Sequence, residues 1–135
     1  MEKRGGGVMA KFHDDNRLLF KLENADFQAI TDQTFTKIGT FTNYMVGRVV
    51  GKRVTGGASV ACTGGIYTGA SKTGNQLVAS SQSWLGMSGA GKIQDATIAA
   101  VVATDFQTAT PILSLTVGST ATCTGDVYIY GMILD

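Results

Sequence analysis

The sequence predicts an all-β protein: an antiparallel β-sandwich or jelly roll of about eight strands behind a short N-terminal arm. Three observations predict it. Apolar and polar residues alternate in short runs rich in Val, Thr and aromatics, the pattern of half-buried strands. Glycine-containing turns separate these runs at spacings of roughly 8–12 residues, the rhythm of sandwiches and barrels. Glycine, serine and threonine supply 43 of 135 residues, while proline occurs once.

The elements follow in order. Residues 1–7 read as a flexible arm, because charged residues lead into Gly5-Gly6-Gly7, whose backbone freedom is costly to freeze. Residues 8–135 read as a single domain, a length that buries about two-thirds of the extended chain's surface. Strand character begins at Val8. Leu18–Leu22 is a short strand, and Phe27–Ile30 a possible second. Phe35 to Phe41 alternates Phe35, Lys37, Gly39 and Phe41 against Thr36, Ile38 and Thr40. Tyr44–Val54 is the clearest long strand, with Tyr44, Val46, Val50 and Val54 on one face, interrupted by Arg48 and Lys52. Met45, Val49 and Arg53 take its other face.

Ser59–Thr68 resumes the alternation, and Gly64-Gly65 inside it predicts a bulge or a close backbone approach. Gly69–Gly74 reads as a loop, Gln76–Trp84 as a weaker strand, and Gly86–Gly91 as another loop. Ile93–Ala103 suits helix or strand, and its Thr, Val and Ile content favours strand. Ile112–Val117 and Cys123–Leu134 complete the set. In the last strand Val127, Ile129 and Ile133 share one face and Tyr128, Tyr130 and Met132 the other. Both faces are apolar, as expected when one meets the core and the other a neighbouring subunit.

Composition and charge exclude several functions. Eleven Lys and Arg against ten Asp and Glu give a net charge of +1, too little excess for nucleic-acid binding through phosphate neutralisation. The longest apolar run, Ile98–Ala103, is far short of the ~20 residues that span a bilayer. The N-terminus carries no apolar h-region, so synthesis in the cytoplasm with Cys62 and Cys123 as thiols is expected. The charge is uneven. Residues 1–53 hold nine of the eleven cations, whereas residues 54–135 hold only Lys72, Lys92, Asp95, Asp105, Asp126 and Asp135. That deficit fits a surface covered by other subunits, or one that is polar without being charged.

Candidate chemistry is sparse. His13, the only histidine, sits in His13-Asp14-Asp15-Asn16, residues that a tight turn uses. Gly86–Lys92 matches the spacing of a phosphate-binding loop, but Ile93 replaces the hydroxyl residue that would hold Mg²⁺. Two cysteines are too few for a four-ligand zinc site. They read as buried small hydrophobes, or as a disulfide if their Cα atoms lie within ~7 Å. Asp95, Asp105 and Asp126 have no spacing specific to hydrolysis. Trp84 with Tyr67, Tyr128 and Tyr130 would make a sugar-stacking platform if exposed. The reading is therefore not an enzyme, with no cofactor, metal or small-molecule substrate.

The stretches Gly64–Ser71, Leu77–Trp84, Gly89–Lys92, Ser114–Thr116 and Asp126–Gly131 resemble small virion proteins of tailed phages, the capsid decoration or cement proteins. The resemblance spans roughly residues 48–135 and rests on turn-and-strand patterns. It implies a protein of the virion that binds the outer surface of an assembled capsid, usually as a homotrimer, and stabilises it. The implied partners are the major capsid protein and further copies of the chain, with no nucleic acid or membrane. Beside it, the residues themselves nominate Lys3 and Arg4 in the arm and Tyr128, Tyr130 and Met132 on the last strand as protein-interface residues. A tail, fibre or baseplate component would share this composition, and a carbohydrate-binding sandwich is the alternative from another class.

Overall fold

The structure, a computed structural model, describes residues 17–59, 61–88, 92–99 and 105–135. The arm at residues 1–7, with Lys3 and Arg4, and His13 lie outside them. Nine strands follow one another: β1 Arg17–Asp26, β2 Gln33–Thr34, β3 Thr36–Lys37, β4 Tyr44–Gly56, β5 Thr63–Gly69, β6 Thr73–Val78, β7 Ile93–Ala96, β8 Ile112–Val117 and β9 Cys123–Ile133. One 3₁₀ turn, Leu85–Met87, lies between β6 and β7. The strands make two sheets, ordered β3-β1-β9-β4-β7 and β2-β8-β5-β6. Every pairing is antiparallel. The all-β expectation holds, as two sheets packed into a sandwich.

A single buried cluster joins the sheets. Leu19, Phe20, Val46, Val49, Val127 and Ile129 enter it from the five-stranded sheet, and Ile66, Leu77, Val78, Leu113 and Leu115 from the four-stranded one. Each such side chain contributes about 1.5–3 kcal/mol by leaving water. Trp84 plugs the cluster with no exposed surface. Its ring lies 5.4 Å from that of Phe27, and its indole N–H donates to the Gly64 carbonyl at 3.1 Å. At the opposite part of the cluster Phe20 meets Tyr44 edge-on at 4.9 Å and Phe41 at 5.5 Å, the geometry aromatic quadrupoles prefer.

Several expected elements change, each for a local reason. Phe27–Ile30 is a turn, because the Asp26 carboxylate accepts the Gln28 N–H at 2.9 Å and Phe27 drops into the core. Phe35–Phe41 is not one strand. Gln33–Thr34 pairs with β8 in one sheet and Thr36–Lys37 with β1 in the other, so buried Phe35 marks the crossing between sheets. This crossing raises the strand number from about eight to nine. The strand expected from Ser59 begins at Thr63, after a turn in which the Cys62 N–H donates to the Ser59 carbonyl. The expected 69–74 loop shrinks to a hairpin tip, with Ser71 at φ 56° and Lys72 at φ 61°. The strand expected from Gln76 starts earlier, at Thr73, and stops at Val78. Of Ile93–Ala103, Ile93–Ala96 is strand.

The Gly64-Gly65 expectation holds. The register with β8 shifts between Thr63 and Gly64. A Cβ on Gly64 would lie 2.3 Å from the Leu115 Cα, and one on Gly65 would lie 2.5 Å from the Val78 carbonyl oxygen. Only glycine lets the neighbouring strands approach this closely.

The largest correction concerns β4. Its register with β9 shifts between Val46 and Arg48, so Gly47 is the extra residue of a bulge. A one-residue shift moves every later side chain to the other face. Tyr44, Val46 and Val49 therefore point into the core together. Met45, Arg48, Val50 and Lys52 share the outward face. Arg48 and Lys52 do not interrupt a buried stripe; they belong to the outer one.

Candidate functional site

The outward face of the five-stranded sheet gathers the predicted interface residues. β9 is its central strand, and burial alternates along it residue by residue. Cys123, Val127 and Ile129 are buried in the core, while Tyr128, Tyr130 and Met132 stand outward and half-buried between their neighbours. Tyr128 lies between Lys21 of β1 and Val50 of β4. Tyr130 lies between Leu18 and Arg48, and Met132 beside Met45. Gln107 forms an isolated bridge to Tyr44, with backbone bonds of 2.7 and 3.0 Å in both directions. Phe106, next to Gln107 in the chain, is 60% exposed.

The face thus has two ends. Leu18, Met45, Tyr130 and Met132 make an apolar corner. The other end is ionic. Arg48 holds Asp95 through two bonds of 3.0 and 3.2 Å. The hydrogen bond lowers the Asp95 pKa and raises that of Arg48. Lys21 meets Glu23 at 3.3 Å. Asp126 accepts the Asn24 backbone N–H at 2.9 Å and the Tyr128 hydroxyl at 3.3 Å. Desolvation, helped by the Asp126 charge, raises the Tyr128 pKa.

Of the Gly86–Lys92 motif, residues 89–91 lie outside the described set. Lys92 is followed directly by β7, and no helix begins there, so the strand–loop–helix setting of a phosphate loop is not formed. The aromatic sugar platform is not formed as expected: Trp84 and Tyr67 are 0% and 2% exposed, so only Tyr128 and Tyr130 of that set stand outward. Cys62 and Cys123 are free, buried thiols; burial pushes the Cys62 thiol up to about 11 and raises Cys123 as well. Among the described residues no three His, Cys, Asp or Glu side chains cluster as metal ligands would. A hollow of about 530 Å³ is lined by Ile30, Thr31, Asp32, Ser71 and Lys72. Its polar groups hold the loops together: Lys72 donates to the Ile30 carbonyl and to Ser114 Oγ, and Asp32 accepts the Ser71 N–H.

No protein-family model, curated protein or solved structure matches this chain. The reading of the site therefore rests on its own geometry. Strict alternation placed Tyr128, Tyr130 and Met132 on the face of β9 opposite the core, where they stand. It did not place Leu18 and Met45 beside them. Gly47 in mid-strand, followed by two cations interrupting the stripe of Tyr44, Val46, Val50 and Val54, was the signal that could have recovered the β4 contribution.

Proposed function

We propose that this chain is a structural protein of a phage virion, which binds the outer surface of the capsid as a decoration or cement protein and does so as a homotrimer. The observation that carries the reading is the two-faced β9. One side of this central strand fills the core, while the other lays Tyr128, Tyr130 and Met132 along an outward sheet face. Aromatics and methionine on a solvent-facing sheet are what the centre of a protein interface requires. The sequence resemblance supports the same reading, since residues 48–135 include β5 to β9 and most of β4. The proposed partners are the major capsid protein and two further copies of the chain. The proposed location is the capsid exterior.

The test mixes purified protein with expanded heads and with whole virions, and images the bound label. Label on heads, with heads more resistant to heat, is the expected result. Label on the tail would replace this reading by that of a tail, fibre or baseplate component. No binding to either would overturn it.

A further inference from the structure

We draw no further inference here: the strongest candidate, the outward face of the five-stranded sheet around Leu18, Met45, Tyr130 and Met132, belongs to the site already described, and nothing in the structure shows what covers it.

Discussion

The two sheets of this sandwich treat their outer faces in opposite ways. The four-stranded sheet is covered by the chain's own loops. Tyr67 is buried yet stands outside the core cluster, and Ser114 is buried beside it on the same sheet. Lys72 reaches over Ser114 to the Ile30 carbonyl, the Asp32 carboxylate holds the hairpin tip, and Thr116 donates to the Ser80 carbonyl. The five-stranded sheet has no such cover in the described residues. Its outward Tyr128, Tyr130 and Met132 are half-buried. A chain that closes one sheet with its own loops and leaves aromatics on the other has divided its described surface into a covered side and an open side.

The comparison presumes that both sheets stand on one core, and Trp84 tests that presumption most severely. Trp84→Ala removes the plug and the bond to Gly64, and should cost about 3–5 kcal/mol. Denaturant unfolding should still show one transition reporting both sheets; two separated transitions would mean the sheets unfold independently. Next is the cover. Lys72→Met leaves the buried Ser114 hydroxyl without this donor and frees the Ile30 strap. A loss of about 1–3 kcal/mol is expected, with faster proteolysis near Ile30. An unchanged cleavage rate would show that Lys72 does not hold the cover.

Titration separates core from surface. Burial pushes the Cys62 thiol up to about 11 and raises the Tyr44 hydroxyl pKa too. Folding thus favours their neutral forms, so their contribution is complete below the unfolded-state value, about 8.5 for Cys62. It is lost as pH rises through the folded values. Melting temperature should fall between pH ~8.5 and ~11, and Cys62→Ala should flatten part of that fall. The smallest effect on folding belongs to the open side. Tyr130→Ser should change unfolding free energy by no more than about 1 kcal/mol, while weakening partner binding at least about tenfold. A large stability loss with binding intact would make Tyr130 a structural residue.

Much of this division was legible in the sequence, and what was not had a physical cause. Strict alternation in β9 fixes both its faces, because a central strand paired on both sides cannot slip without exposing its core set. The Gly64-Gly65 close approach was also readable, since few other demands place two glycines inside a strand. β4 was misread because a bulge adds one residue and inverts the face of everything beyond it; period-two reasoning contains no such term. Phe35 was misread because the chain changes sheets there, a choice made by the packing of two layers. The corner as a whole was invisible, because cross-strand pairing assembles it from Leu18 of β1, Met45 of β4 and Tyr130 and Met132 of β9, which lie far apart in the chain.

Oxidative footprinting of the side chains tests the central claim most directly. Hydroxyl radicals label Met and Tyr, and the protein is compared as free dilute chain and as assembled on heads. Strong protection of Met45, Met132, Tyr128 and Tyr130 on assembly, with Ile30 and Lys72 labelled equally in both states, is the predicted result. Unchanged labelling of those four residues, or protection confined to the strap and hairpin tip over the four-stranded sheet, would contradict the account.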